Sequence, residues 1–313
     1  MNRPVAVATA SAEWSQLPER SNPLTLRFMR WFALSCGRRA ARTLLHPIAL
    51  YFLLTGGPTS RWSAVYLERV LGRRPRFADR YRHVHAFAAT LLDRVYLLND
   101  RFDLFDIRVI GDEVMRAAVA NPQPGLFMFG AHMGSFEAVR ALGRDRTSHK
   151  IFMVMYEENA RKINQTLAAI NPALSRDIVA LGRIDSMLRV DRLLADGCIV
   201  GVLADRSLGA SATRGKPVTM DLLGRPAQFG DGPFRLAAVL RRPVIFMAGI
   251  YRGGNRYDIH FVPIADFSHA ATGTRTEAIR VAMLKYRDVV ESLCRDAPFN
   301  WFNFHDFWND KPR

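Results

Sequence analysis

The stretch Phe129-Gly130-Ala131-His132-Met133-Gly134-Ser135-Phe136-Glu137 places an imidazole and a carboxylate five residues apart, where an apolar run gives way to a helix start. In one continuous helix five residues turn through about 500°, which leaves the two side chains about 140° apart. They meet only if His132 lies in a turn and Glu137 in the first turn of the following helix. The carboxylate then holds one ring N–H and fixes the tautomer, so the other ring nitrogen accepts a proton from a substrate hydroxyl. No serine or cysteine nucleophile is required, because the hydroxyl attacks directly. Gly130 and Gly134 let a substrate approach the backbone, and N–H groups at the Ser135 helix start face a developing oxyanion. The bland reading of the same residues is a hydrogen-bonded structural histidine at a strand end.

Positioning such a pair takes a strand, a turn and a helix, and the surrounding pattern supplies them. Leu126-Phe127-Met128-Phe129 is continuously apolar, as expected of a strand buried on both faces. Strands are expected at 107–110, 151–155, 177–180, 198–203, 218–223, 244–250 and 257–262, the last two joined by a turn containing Gly253 and Gly254. Helices are expected at 112–120, 135–143, 160–170, 186–194, 232–240, with Pro233 in its first turn, and 274–294. Asn121-Pro122-Gln123-Pro124-Gly125 reads as a turn. The first hundred residues show only helical spacing, through Tyr66, Leu67, Val70 and Leu71 and again through Val84, Phe87, Leu91, Leu92 and Val95. Alternating strands and helices imply an α/β fold with a sheet covered on both faces, preceded by a helical portion over 1–100. The core over 101–313 continues from it as one structural unit.

Other polar residues fall at the carboxyl ends of these strands, where open α/β sheets keep their reactive groups. Asp205 and Arg206 follow the strand at 198–203 and so stand at such an end. Glu157-Glu158-Asn159-Ala160-Arg161-Lys162 follows the strand at 151–155, and Arg161 is the candidate there for a head group or phosphate. A capped, solvated helix start is its alternative. Arg206 or Arg161 also serves as a cationic partner for an oxyanion. Asp231 reads as a helix cap, and the aromatic run at 299–308 as a seal on the core or the lining of an apolar tunnel. His305 beside Asp306 is read as structural, since adjacent side chains point apart. The remaining histidines show no ligand spacing, so neither a metal nor a cofactor is implied.

Composition limits the partners. The 313 residues carry 44 Lys+Arg against 29 Asp+Glu, a formal charge of +15. Residues 1–100 hold fifteen arginines, no lysine and six acidic side chains. A basic surface attracts nucleic acid, anionic lipid or an acidic carrier protein. Cys36, Cys198 and Cys294 are too few and too scattered for a disulfide framework. The apolar stretches 24–36 and 44–56 are interrupted, and neither reaches the roughly 20 residues that cross a bilayer. Their aromatics are interleaved with Arg27, Arg30, Arg38, Arg39 and Arg42, the pattern of a helix lying in the head-group layer. Peripheral or monotopic attachment is expected, without a signal peptide.

His-x4-Glu after an apolar strand resembles the signature of the glycerolipid and lysophospholipid acyltransferases. The chain looks most like their bacterial lipid A late acyltransferase branch, the lauroyl and myristoyl acyltransferases. Asp205-Arg206, the block Asp221-Leu222-Leu223-Gly224-Arg225-Pro226-Ala227, Gly232-Pro233-Phe234-Arg235-Leu236-Ala237, Arg242-Pro243-Val244 and the late segment 301–308 carry the likeness across most of 40–310. The resemblance implies a mixed, mostly parallel sheet of the glycerolipid acyltransferase kind. It also implies acyl transfer from an acyl carrier protein or acyl-CoA to a hydroxyl of an envelope lipid or glycolipid, at the cytoplasmic face of the inner membrane. His132 is then the general base, Glu137 its orienting partner, and Asp205-Arg206 a substrate-binding block. Two alternatives stay open: a thioesterase on the same fold, and a non-catalytic basic protein binding membrane or nucleic acid. Nucleic acid ranks last, because no helix-turn-helix, zinc or RNA-binding pattern appears.

Overall fold

The computed structural model describes residues 23–120, 125–146, 149–156, 178–181, 184–206, 217–268 and 274–308. The helix expected at 160–170, Arg161 and most of the 121–125 turn lie outside these residues. Three helices come first: α1 (Pro23–Thr55), α2 (Pro58–Leu71) and α3 (Phe77–Leu97). Helix α1 is broken at Gly37, whose φ of 78° and ψ of 166° are not helical.

A seven-stranded sheet follows. Its strands are β1 (Asp106–Ile110), β2 (Leu126–Gly130), β3 (Ile151–Tyr156), β4 (Ile178–Leu181), β5 (Ile199–Leu203), β8 (Pro243–Gly253) and β9 (Arg256–Asp266), in the spatial order β1-β9-β8-β2-β5-β3-β4. Every neighbouring pair is parallel except β8 with β9, whose turn places Gly253 and Gly254 at φ 92° and 63°. The sheet is therefore mixed and mostly parallel. A separate antiparallel hairpin joins β6 (Pro217–Leu222) to β7 (Arg225–Gly230). Strand β7 was not foreseen, since Arg225-Pro226 and Gly230 break its apolar pattern.

Helices α4 (Asp112–Ala120), α5 (Phe136–Arg146), α6 (Ile184–Ala195), α7 (Gly232–Val239) and α8 (Arg275–Asp296) complete the order. Strand β2 shows why the sheet must be covered on both faces, since all five of its residues are buried. Alternation sends Phe127 and Phe129 into a core shared with α2, α6, α7 and α8, while Leu126 and Met128 enter a second core with α1, α3 and α5.

The helical portion is tied to the sheet by an interior ion pair. Asp93 of α3 is fully buried and accepts two hydrogen bonds from Arg38 of α1, at 2.8 and 2.9 Å, and one from the Tyr257 hydroxyl at 2.8 Å. Arg42 donates to the Tyr251 hydroxyl at 2.6 Å. Two arginines of the basic stretch are thus turned inward, whereas Arg39 is exposed. Beyond them α1 buries Ala41, Leu45, Ala49 and Leu53 and leaves Leu44, Leu50, Tyr51, Phe52 and Leu54 exposed.

Candidate active site

Strands β2 and β5 are parallel neighbours, with Gly130 opposite Leu203, and the Ala204 N–H donates to the Gly130 carbonyl at 2.9 Å. Two residues beyond each strand end stand His132 and Asp205. Equal offsets from paired residues bring them face to face. His132 Nδ1 lies 2.8 Å from Asp205 Oδ1, and the His132 backbone N–H donates to Oδ2 at 3.0 Å. The Trp301 indole N–H donates to the same Oδ2 at 3.0 Å. Asp205 is only 1% exposed, while the His132 side chain keeps 32% of its surface open. An Nδ1–H donated to a carboxylate leaves Nε2 as the acceptor nitrogen. Nε2 has no hydrogen-bond partner among the described residues.

The carboxylate at the imidazole is therefore Asp205 and not the expected Glu137. Glu137 does fall in the first turn of α5, yet that turn directs it toward α3. Its Oε1 lies 3.8 Å from Arg94 Nε and its Oε2 4.0 Å from Arg140 Nη1. Both Glu137 and Arg140 are buried.

The turn between β2 and α5 is held from two sides. Gly134 pairs with Gly249 of β8, and Met133 pairs with Trp301. The Gly134 N–H donates to Asn300 O at 2.9 Å and the Ser135 N–H to Gly249 O at 2.7 Å. These two amides, expected to meet substrate, are engaged in building the turn instead. Ser135 Oγ caps α5 by accepting from the Ala138 N–H at 3.2 Å. Gly134 sits at φ 58°, and a Cβ there would collide with the Gly249 carbonyl.

Arg206 follows Asp205, and its Nη2 lies 3.4 Å from Phe302 O. The site is electrostatically uneven. Burial, then the Arg206 charge, lowers the His132 pKa below its ordinary value, against the opposing pull of Asp205. Burial alone would raise Asp205, but the His132 and Arg206 charges and the indole N–H hold it well below the usual carboxylate range. Neutral His132 beside ionised Asp205 is the resulting state near neutral pH. His305 belongs to this neighbourhood too: burial, Arg206 and His132 hold its pKa down to about 3. Asp231 precedes α7 without capping it and pairs with Arg235 instead.

Polar groups beyond the carboxyl ends of parallel strands, on a sheet covered by helices, are the arrangement of an α/β enzyme. The family follows from comparison with known proteins. A family model described as bacterial lipid A biosynthesis acyltransferase matches residues 87–310. The match spans more than half of the chain, and the chain belongs to that family; it is an acyltransferase. A search of curated proteins gave no match.

Proposed function

We propose that this acyltransferase moves a fatty acyl group from an acyl thioester, on acyl carrier protein or CoA, to a hydroxyl of an envelope lipid or glycolipid. The observation that carries the mechanism is the Asp205 bond to His132 Nδ1, which leaves Nε2 as the base. Nε2 takes the hydroxyl proton while the oxygen attacks the thioester carbonyl carbon. The tetrahedral oxyanion faces the Arg206 guanidinium, and Asp205 stabilises the imidazolium. Collapse breaks the C–S bond, and the proton on Nε2 passes to the departing thiolate, giving an ester and a free thiol. Glu137 is assigned to holding the catalytic turn against α3, Gly134 and Ser135 to shaping that turn, and Arg161 to the acceptor head group.

The reaction is placed at the cytoplasmic face of the inner membrane, with the protein attached peripherally through α1. No helix among the described residues is long and apolar enough to cross a membrane. The exposed Leu44, Tyr51 and Leu54 support the peripheral reading.

The test uses labelled acyl carrier protein or acyl-CoA with lipid acceptors, and products resolved by mass spectrometry. An acylated lipid is expected, and His132→Ala should lower its rate by about 10²–10⁴-fold. Free fatty acid as the sole product would make the protein a thioesterase. Folded His132→Ala keeping more than about a tenth of the rate would remove His132 as the base.

A further inference from the structure

The carboxylate that steers His132 is itself steered from the distant 300–302 segment. A carboxylate buried as deeply as Asp205 must have its lone pairs satisfied by donors. Oδ1 meets the His132 ring, while Oδ2 takes the His132 backbone N–H and the Trp301 indole N–H, both at 3.0 Å. Both other donors come from the residue being positioned. Among the described residues, the indole is the donor independent of it.

Trp301 is built to hold still. Its ring is 1% exposed and packs edge-on against Phe307, Tyr66 and Trp308, with centroids at 4.8, 5.1 and 5.9 Å. Its carbonyl accepts the His83 Nε2–H at 2.9 Å, and His83 Nδ1 accepts from the Ser63 hydroxyl at 2.7 Å. A carbonyl only accepts, so His83 carries a proton on Nε2, and burial, which lowers its pKa to about 4, keeps Nδ1 unprotonated near neutral pH. The neighbouring backbone grips the other half of the pair: Asn300 O takes the Gly134 N–H, and the Phe302 N–H donates to His132 O at 2.8 Å. One short segment therefore holds His132 by its backbone and Asp205 by a side chain.

We infer that Trp301 is a positioning residue of the acyl transfer, fixing the Asp205 carboxylate through its indole N–H and thereby setting the alignment and basicity of His132. The inference rests on the base assignment made above. Among the described residues, the charged and titratable groups around His132 are Asp205, Arg206 and His305. Removing the indole N–H returns negative charge to Asp205, which favours the imidazolium. The His132 pKa then rises, and the acid limb of kcat/KM moves to higher pH.

The test is Trp301→Phe, which keeps an aromatic ring and removes the donor, with folding checked by thermal unfolding. The expected result is a kcat lower by about 10–100-fold, the worth of one hydrogen bond to a charged group. KM should be unchanged and the acid limb shifted upward. In an Asp205→Asn background the same substitution should have almost no further effect on kcat. An unmoved acid limb in folded W301F, or full additivity with D205N, overturns the inference and leaves Trp301 a packing residue. Wild-type protein gives a second measurement, independent of how W301F folds. The Trp301 indole N–H resonance should titrate with the same midpoint as the His132 ring, and an indole blind to that midpoint also overturns the inference. His132→Ala is run alongside. Transfer retained there refutes the base assignment, whereas transfer lost there but normal in W301F refutes Trp301 alone.

Discussion

At the scale of single residues, two buried carboxylates stand near one histidine and are predicted to do different work. Asp205→Asn removes the charge facing the imidazolium and should lower kcat by about 10²–10⁴-fold with little change in folding. Its acid limb should move to lower pH, because the imidazolium loses its partner. Glu137→Gln should instead lower stability, by about 0.5–3 kcal/mol, by removing the negative charge that faces Arg94 and Arg140. The pH midpoint of the remaining activity should stay where it is. Thermal unfolding and a pH–rate profile on both variants separate the roles. A shifted midpoint in E137Q would return Glu137 to the imidazole. The motif had made His132 legible from the sequence, but spacing can only point to local partners. The partner it pointed to was Glu137. The one that meets the ring is Asp205, which comes from the next strand by register, and register is not written in either segment alone.

At the scale of elements, the contact between the β2–α5 turn and β8 is tight enough to test by adding one methyl group. Gly134→Ala places a Cβ against the Gly249 carbonyl at a φ of 58°. It should cost more than about 4 kcal/mol and abolish transfer. Gly224→Ala, at φ 76° with nothing within 4 Å of its Cβ, should cost about 1–2 kcal/mol and keep activity. Equal losses in unfolding experiments would mean that backbone strain alone, and not the close packing on β8, matters at Gly134. The elements themselves were mostly readable. Strands β2, β3 and β5 are continuous apolar runs because both their faces are covered, and α4 and α8 carry clear helical spacing. Strand β7 was hidden because a hairpin lying off the main sheet needs no continuous apolar run. The aromatic segment at 299–308 was legible as a seal on the core or a tunnel lining, and Trp301, Phe302, Phe307 and Trp308 are buried. Its grip on the β2–α5 turn was not, because its backbone pairing with 133–134 leaves no periodic trace.

For the whole molecule, acidity and lipid are the informative variables. Burial lowers the His83 pKa to about 4, so between there and its ordinary 6.5 the unfolded chain binds the extra proton. Stability is therefore complete above about pH 6.5 and declines as the pH falls toward 4, by roughly 3 kcal/mol from this residue. His305, held to about 3, adds to the loss. Denaturant titrations across this range should show the decline, and His83→Asn should flatten it. A slope unchanged in H83N would assign the decline elsewhere. Vesicle flotation tests the outer face of α1. Wild-type protein should bind anionic vesicles and be only partly released by high salt, whereas Tyr51→Glu with Leu54→Glu should be released almost completely. Equal release of both would show that charge alone holds the protein. Arg38 contributes little to that charge, since the Asp93 carboxylate already pairs with it.

The pairing of residues 133–134 with 300–301 also bears on how the enzyme is made. His132 and Asp205 emerge from the ribosome long before Trp301. Until residues 300–302 arrive, the turn lacks its backbone partners and the carboxylate lacks its indole. A nascent chain thus carries the His132 imidazole and Asp205 without the frame that holds them. The arrangement is complete only once residues 300–302 have joined the fold.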